Sequence, residues 1–268
     1  MSERRTTSSP HISYIMAPPI GTIVLDHPAR RNALSLDMWQ ALPEAIAALE
    51  ADSSIRAILL KGEGDAFAAG ADISEFTTHR KDAASARAYE QINVAAFRAL
   101  SDAARPTIAA IHGFCMGGGM GLAAACDLRI AQDDAVFAVP AARLGLGYPV
   151  DGVVDVLSLI GRAKTLDLVM TARRVGAHEA KEIGFLDYLV PEGALDEEAA
   201  TLARTISQNA PLSIRAIRNT TRALIRAGMT DELRAELAAL VDACYDSRDY
   251  HEGVAAFLEK RHARFHGE

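Results

Sequence analysis

Residues 107–126 read TIAAIHGFCMGGGMGLAAAC and contain no Asp, Glu, Lys or Arg. The stretch is about as long as a helix that spans a bilayer, so a membrane segment is the first hypothesis. Five of its residues are glycine, however, and each glycine costs about 1 kcal/mol relative to alanine inside a helix. It also lacks flanking aromatic anchors. We therefore interpret it as a strand over 107–111, a glycine loop and an alanine-rich helix over 120–125.

Short apolar runs alternate with helical patterns on both sides of this stretch. Besides 107–111, strands are predicted at 21–26, 55–60, 127–131 and 135–139. The first of these ends before His27-Pro28, because proline favours extended geometry in the residue before it. Helices are predicted at 36–49, with Ser35 as the cap, and around 84–99. This alternation is typical of an α/β protein with largely parallel strands.

From about Leu195 the pattern changes to amphipathic helices without strand signals. These helices are predicted at 197–207, 214–226, 231–246 and 250–265. The chain is thus expected to have a disordered polar tail over 1–11, an α/β core over 12–194 and a helical region over 195–268. Helices that cannot form a core of their own often complete an oligomer, so we expect self-association.

Composition and charge exclude several classes of function. With 268 residues, half of them hydrophobic, the chain is too long and too apolar for a disordered protein or a small disulfide scaffold. A net charge of −7 argues against general affinity for nucleic acid or an anionic membrane. Three cysteines fit buried, reduced thiols. Because the polar N-terminal stretch has no signal-peptide pattern, we expect a cytoplasmic location.

The common catalytic motifs are absent from the sequence. It contains no G-x-S-x-G, no G-x-x-x-x-G-K-[ST], no H-E-x-x-H and no C-x-x-C motif. The GGGMG cluster at 117–121 also lacks the glycine spacing of a dinucleotide site. The motifs therefore offer no support for an α/β-hydrolase, a P-loop NTPase or a zinc hydrolase.

Two glycine-containing loops each follow a predicted strand and open a helix: FAAGADI at 67–73 and HGFCMGGGM at 112–120. A helix N-terminus presents unpaired N–H groups and the positive end of the helix dipole. If the loops converge, two N–H donors can stabilise one developing oxyanion, and losing one such donor typically slows a reaction by about 10²–10³-fold. From spacing alone, tight turns and close helix packing explain the glycines equally well.

Several motifs resemble, in order and spacing, those of the enoyl-CoA hydratase/isomerase (crotonase) family. They are FAAGADISE at 67–75, PTIAAIHGFCMGGG at 106–119 and ACDLRIA at 125–131. HPARRNAL at 27–34 is similar to the family's first nucleotide-contacting loop, and FLEKR at 257–261 is similar to its C-terminal segment. The resemblance covers roughly residues 12–265.

The resemblance implies an α/β fold with a crotonase-like ββα-spiral core and a C-terminal helical trimerisation region. It also implies a homotrimer or a dimer of trimers. The ligand would be an acyl-CoA or enoyl-CoA thioester. Coenzyme A would enter as part of the substrate, and neither a separate cofactor nor a metal is expected.

By motif position, the resemblance implies an oxyanion hole formed by the backbone N–H groups of Ala71 and Gly118. The residues implied in binding coenzyme A are Arg30, Arg31, Ala69, Asp72, Ile73, Gly117 and Lys260. Those in the 67–75 motif fall where the family holds adenine and pantetheine. The two adjacent arginines fall where basic residues approach the phosphates, and the lysine would reach them from a neighbouring subunit. A solvated surface charge is the alternative for each cation.

The chain departs from the family at both glutamates that a hydratase uses. The first follows the glycine triplet by two residues, where this chain has Gly121. The second follows a proline after the next strand, and here Pro140 is followed by Ala141. Hydration by this mechanism needs a base for water and an acid at the α-carbon, and neither replacement can transfer a proton.

Asp151 is the candidate that could replace a missing acid or base. It lies in GLGYPVDG at 145–152, the stretch that forms the acyl end of the pocket in the family. Helix capping is its alternative role. Tyr148, close by, could donate a hydrogen bond or simply pack.

The sequence therefore predicts an acyl-CoA-processing enzyme of the enoyl-CoA hydratase/isomerase family that stabilises a thioester enolate. Without the glutamates, isomerase-like or other single-proton chemistry is expected rather than hydration. A catalytically degenerate acyl-CoA-binding protein is the alternative from another functional class. A thioester hydrolase or decarboxylase, using a water placed by Asp151, is a third hypothesis.

Overall fold

Two β-sheets and ten α-helices form the part of the chain that the structure, a computed structural model, describes: residues 3–227 and 231–268. The strands are β1 (Arg4–Thr6), β2 (Ile12–Ala17), β3 (Ile20–Leu25), β4 (Ala57–Gly62), β5 (Thr107–Ile111), β6 (Phe114–Met116), β7 (Leu128–Gln132), β8 (Val136–Ala138), β9 (Val175–Gly176) and β10 (Tyr188–Val190). The helices are α1 (Leu36–Glu50), α2 (Phe76–His79), α3 (Ala83–Ser101), α4 (Gly118–Ala125), α5 (Val150–Thr171), α6 (Ala177–Glu182), α7 (Leu195–Ser207), α8 (Pro211–Ala227), α9 (Asp231–Tyr245) and α10 (Arg248–Glu259).

The larger sheet has seven strands in the order β1-β2-β3-β4-β5-β7-β10. Its first three strands pair antiparallel, and the strands from β3 to β10 pair parallel. The second sheet contains β6, β8 and β9. Parallel neighbours need long crossover connections, and helices supply them here. The α/β architecture that the alternating pattern predicts is confirmed.

The uncharged stretch 107–126 divides into β5, β6 and α4. All five residues of β5 are buried, because this strand lies inside the large sheet between β4 and β7. The helix begins at Gly118, two residues before the predicted start, and it contains only eight residues. In the described part of the chain, no helix is long and apolar enough to cross a bilayer.

Helices cover both faces of the large sheet. On one face, α1, α3 and α4 join the larger apolar cluster, and α1 contributes Trp39 and Leu42, whose helical spacing predicted it. On the other face, Leu195 and Ala199 of α7 pack against β4, β5 and β7. The predicted C-terminal region thus begins with a helix that helps to form the core.

An arginine and an aspartate connect the C-terminal helices to the core. Arg218 of α8 donates from Nε to Asp127 Oδ2 at 2.8 Å and from Nη1 to the Ala103 carbonyl oxygen at 2.8 Å. Asp127 Oδ2 also accepts from the Thr107 N–H at 2.7 Å. This buried junction fixes α8 to the start of β5.

Two further differences from the sequence pattern concern α5 and α10. The pattern misses α5, since glycines interrupt its periodicity, and the helix is kinked at Gly161, where φ is +71°. The last predicted helix, over 250–265, is too long: α10 ends at Glu259, and Lys260 follows with a left-handed φ of +55°.

The predicted disordered tail over 1–11 is wrong for the described residues of that segment. β1 pairs antiparallel with β2, with Arg4 opposite Ile15. Arg4 also forms ion pairs with Asp26 at 2.9 Å and Glu63 at 3.3 Å. The charged side chains that suggest disorder in the sequence instead form ion pairs with residues of neighbouring segments.

Candidate functional site

The candidate site is a cavity between the two glycine loops and α3. Its walls come from α1, the 69–80 segment, α3, the start of α4 and the 140–149 segment. The lining residues include Trp39, Ala69, Gly70, Ala71, Ile73, Phe76, Arg80, Asn93, Phe97, Gly117, Gly118, Pro140, Ala141, Leu144 and Tyr148. The cavity is therefore mostly apolar, with a few polar groups.

Backbone hydrogen bonds hold the first loop beside the second. Ala68 donates to the Phe114 carbonyl oxygen and accepts from the Met116 N–H, both at 2.9 Å. On the other side, the Leu34 N–H donates to the Gly70 carbonyl oxygen at 2.7 Å. Among the backbone hydrogen bonds of the described residues, the Ala71 N–H has no carbonyl acceptor. This donor is available to a ligand.

Gly118 begins α4, so its N–H has no acceptor one turn earlier in the helix. A Cβ built on Gly118 would lie 3.6 Å from the Ala71 nitrogen, so the two residues predicted to carry the donors are neighbours in the cavity wall. The same Cβ would lie 2.7 Å from Trp39 Cζ2. Only glycine fits here without moving the indole.

Tyr148 is bonded to the peptide unit that carries one of these donors. Its hydroxyl donates to the Gly117 carbonyl oxygen at 2.9 Å, and the Gly121 N–H donates to the same oxygen at 3.0 Å. Burial raises the pKa of Tyr148 above its usual range, so the phenol stays protonated at neutral pH. Gly117 itself has a φ of +47°, a conformation that favours glycine.

The positions of the family's two glutamates are buried among apolar groups. A Cβ at Gly121 would lie 2.7 Å from Phe97 Cζ and 3.0 Å from Tyr148 Oη, so the space beside this residue is already filled. Ala141 lines the cavity and is buried. All of the lining residues lie in the described part of the chain, and none of them is an aspartate or a glutamate.

Asp151 does not lie among the cavity-lining residues. It occupies the first turn of α5, and its Oδ1 pairs with Arg98 Nη2 at 3.1 Å. A carboxylate in that position is stabilised by the helix dipole. The geometry favours the alternative helix-terminus role over acid/base chemistry.

Two of the residues implied in binding coenzyme A form an ion pair at the rim of the cavity. Arg30 Nη1 lies 2.9 Å from Asp72 Oδ2. Burial opposes ionisation of Asp72, but hydrogen bonds from Ser74 and the charge of Arg30 outweigh it and lower the pKa of this carboxyl. Asp72 also accepts from the Ser74 N–H, which begins the turn after the first loop.

The other residues implied in binding coenzyme A fall into two groups, those that line the cavity and those that do not. Ala69, Ile73 and Gly117 line the cavity, and more than half of the Ile73 side chain is exposed there. Arg31 is placed outside it, with its guanidinium 5.0 Å from the Phe114 ring centroid. Lys260 is exposed at the end of α10 and does not line the cavity.

The sequence interpretation missed Arg80, Asn93 and Phe97. They line the cavity from the end of α2 and from one face of α3. The helical period of α3 predicts which of its residues are buried, but no sequence signal shows that this face borders a ligand site.

A sequence model of the enoyl-CoA hydratase/isomerase family matches residues 17–268. YngF of Bacillus subtilis, named for the same two activities, is 38% identical over 252 residues, which cover 91% of this chain and 94% of its own. The peroxisomal Δ(3,5)-Δ(2,4)-dienoyl-CoA isomerase of Arabidopsis thaliana is 31% identical over 259 residues, or 91% of each chain.

Solved structures agree with these sequence matches. A crystal structure of an enoyl-CoA hydratase/isomerase family protein from Hyphomonas neptunium has a TM-score of 0.91 and 40% identity, over 97% of this chain and 99% of the other. The family resemblance and the crotonase-like fold that it implies are confirmed. This chain belongs to the enoyl-CoA hydratase/isomerase family.

Proposed function

We propose that the protein processes acyl-CoA thioesters by stabilising an enolate, and that it favours isomerase-like or other single-proton chemistry over hydration. The observation that carries this proposal is the approach of the Ala71 and Gly118 amides in a cavity whose lining, all within the described residues, includes no carboxylate.

The two amides suit a thioester oxygen that becomes negative. Both N–H groups lack a carbonyl acceptor in the backbone hydrogen-bond network of the described residues, and both are fixed by the loops around them. Donors aimed at developing charge in an apolar cavity stabilise the transition state more than the ground state. The N-terminus of α4 adds the positive end of its peptide dipoles at the same point.

The available acids limit the reaction. Hydration takes a proton from water and adds one at the α-carbon, which in this family requires two carboxylates. Tyr148 is the one acid side chain among the described lining residues, and its raised pKa keeps the phenol protonated at neutral pH, so it cannot serve as a base. Double-bond isomerisation needs one proton-transfer group where hydration needs two: a base, which a bound water would supply here, takes the α-proton of a 3-enoyl thioester, and a proton returns at the γ-carbon of the enolate.

The same observation favours a second candidate function. A catalytically degenerate acyl-CoA-binding protein would also have a cavity that keeps the two N–H donors and has lost both carboxylates. The isomerase activity in the name of the Arabidopsis relative supports the enzyme over the binding protein.

Two absorbance assays of the conjugated thioester distinguish the isomerase, the hydratase and the binding protein. Purified protein is incubated with crotonyl-CoA, and hydration is followed as loss of the conjugated thioester absorbance. In parallel it is incubated with a 3-enoyl-CoA, and isomerisation is followed as gain of that absorbance. We expect the second reaction to be the faster. Fast hydration of crotonyl-CoA would refute the preference for single-proton chemistry. Tight binding of both thioesters without turnover would establish the binding protein.

We also propose that coenzyme A lies along the rim marked by Arg30, Ala69, Asp72 and Ile73, with Arg31 near its phosphates. Arg30 and Arg31 supply positive charge on the side where the first loop begins, and Ile73 offers an exposed apolar surface for the adenine or pantetheine. Lys260 would contribute from a neighbouring subunit, because in its own chain it lies away from the cavity lining.

The assembly that we propose is a homotrimer or a dimer of trimers. Apolar side chains remain exposed on the C-terminal helices, including Ile217, Ile225, Tyr245 and Val254. Contiguous exposed apolar surface is typical of a protein interface. A cytoplasmic location is supported by Cys115, Cys126 and Cys244, which are all free thiols.

A further inference from the structure

An arginine without a carboxylate partner lines the cavity. Arg80 directly follows α2, and its guanidinium carbon lies 4.5 Å from the Phe76 ring centroid and 4.3 Å from that of Tyr89. In the described part of the chain, no carboxylate oxygen forms an ion pair with it. Arg129 and Arg218, which are more deeply buried, both have such partners.

Arg80 keeps its charge in this position at a cost. Burial lowers the pKa of Arg80, and the nearby Tyr89 and Glu90 act in the opposite direction. An arginine side chain nevertheless remains protonated in proteins. A cation that is partly removed from water and forms no ion pair is stabilised further by any anion that enters the cavity.

Two hydrogen-bond donors beside this charge are incompletely satisfied. Arg80 Nη2 donates to Asn93 Oδ1 at 3.1 Å, but Arg80 Nε is buried without an acceptor, and Asn93 Nδ2, which also forms no hydrogen bond, lies near the Tyr89 hydroxyl. Asn93 is 3% exposed and lines the cavity. Both atoms can only donate, so an acceptor that enters the cavity would complete them. Buried donors are nearly always paired with protein groups or ordered water, so an incomplete pair that lines a cavity points to a ligand.

The position of this pair points to the acyl chain rather than to coenzyme A. Asn93 and Phe97 lie one turn apart on α3, and Phe97 contacts the position of Gly121 in α4. The charged rim at Arg30 and Asp72, where coenzyme A is proposed to lie, is not part of the cavity lining. An anion at Arg80 is thus a group carried by the acyl chain.

We propose that Arg80 and Asn93 bind a carboxylate on the acyl chain, so that the substrates are monothioesters of coenzyme A with dicarboxylic acids. This inference rests on the proposed function, since it takes an acyl-CoA as the ligand of the cavity. The guanidinium offers a planar pair of donors, which is the geometry that binds a carboxylate most strongly.

The test measures binding of matched thioesters to the full-length protein by calorimetry. Each pair has the same number of acyl carbons and differs by the terminal carboxylate: succinyl- and butyryl-CoA, glutaryl- and pentanoyl-CoA, adipyl- and hexanoyl-CoA. In at least one pair the carboxylate should improve affinity by about tenfold or more, as expected for a hydrogen-bonded charge pair. Free coenzyme A serves as the ligand without an acyl group.

Variants test whether the preference for the carboxylated thioester comes from Arg80. Arg80→Met should abolish it, so that the two thioesters of each pair bind with similar affinity, and Arg80→Lys should keep part of it. Arg87→Met, which removes an exposed arginine from the same helix as Asn93, is the matched control and should behave as the wild type.

If the wild-type protein binds the two thioesters of each pair with equal affinity, the inference is overturned before any variant is made. A preference that survives Arg80→Met overturns it as well. Weaker binding of free coenzyme A to Arg80→Met would move Arg80 to the phosphates and overturn it. If neutral thioesters bind but carboxylates give no advantage, only this inference fails. If no thioester binds, the proposed function fails with it.

Discussion

At the scale of single residues, Tyr148 and Gly118 are linked through one peptide unit. The Gly117 carbonyl and the Gly118 N–H belong to the same planar group and point in opposite directions. By donating to that carbonyl at 2.9 Å, the Tyr148 hydroxyl fixes the plane and therefore the direction of the N–H. Tyr148 thus has a positioning role.

Replacing Tyr148 by Phe tests this role. The ring still fills the space beside Gly121, so the fold should lose only about 1 kcal/mol for the missing hydrogen bond. With a donor that is no longer held in place, we expect kcat to fall about tenfold or more, within the range seen for oxyanion donors, while KM stays nearly constant. Steady-state kinetics on the best thioester substrate measures both. Tyr188→Phe, at an exposed tyrosine, is the control. An unchanged kcat would contradict the role.

Asp151 is expected to matter little for turnover. Asp151→Asn keeps the size of the side chain but removes the ion pair with Arg98 and the charge at the N-terminus of α5. Loss of this partly exposed ion pair should lower the free energy of unfolding by less than about 1 kcal/mol. Thermal unfolding and kcat are measured on the same sample. A loss of kcat of about a hundredfold would restore the acid/base hypothesis for this residue.

At the scale of elements, the packing of α3 on α4 leaves no room for a side chain at position 121. A Cβ built on Gly121 of α4 would lie 2.7 Å from Phe97 Cζ of α3, so any side chain at this position must displace the phenyl ring or Tyr148. The aromatic groups have taken the space that a carboxylate would need.

Restoring that glutamate by Gly121→Glu should therefore destabilise the protein by about 1–3 kcal/mol, the usual cost of overpacking, and should not create hydration of crotonyl-CoA. Combining it with Phe97→Ala removes the clash. We expect the free energy of unfolding of the double variant to exceed the value predicted by adding the two single effects by more than about 0.5 kcal/mol. Residues in direct contact show coupling of this size. Urea unfolding of the four proteins measures this coupling. Additive effects would show that the two positions do not compete for space.

The elements that could be predicted are those with a clear period or motif. The strand over 107–111 and the helix after Ser35 follow from apolar spacing, whereas the roles of Ala71 and Gly118 are implied by the family resemblance and stay predictions. Arg80 and Asn93 could not be found, because their environment is made by the tertiary approach of α3 to the loops. The strand at Arg4–Thr6 could not be found either, since its stability comes from pairing with β2 and with charges elsewhere in the sequence.

At the scale of the whole molecule, the core should protect two of the three thiols. Cys115 and Cys126 are buried, and burial raises the pKa of Cys126 to about 12 and that of Cys115 well above its usual value. Because thiolates are the reactive form, native protein at pH 8 should show at most one fast-reacting thiol, Cys244, and denatured protein should show three. Titration with a chromogenic disulfide counts them, and Cys244→Ser should remove the fast phase. Two or more fast thiols in the native state would contradict the packing.

Assembly is the remaining property of the whole molecule. Ile217 of α8 and Tyr245 of α9 are each 59% exposed and line one apolar groove, which is costly to leave in water. For the proposed trimer or dimer of trimers, light scattering on a sizing column should find three or six copies of the 28.6 kDa chain. Ile217→Glu places a charge in that groove and should shift the protein towards smaller species. Arg87→Glu adds a carboxylate to the exposed face of α3 and should not. A wild-type monomer at micromolar concentration would refute the trimer, and a trimer unaffected by Ile217→Glu would locate its interface elsewhere.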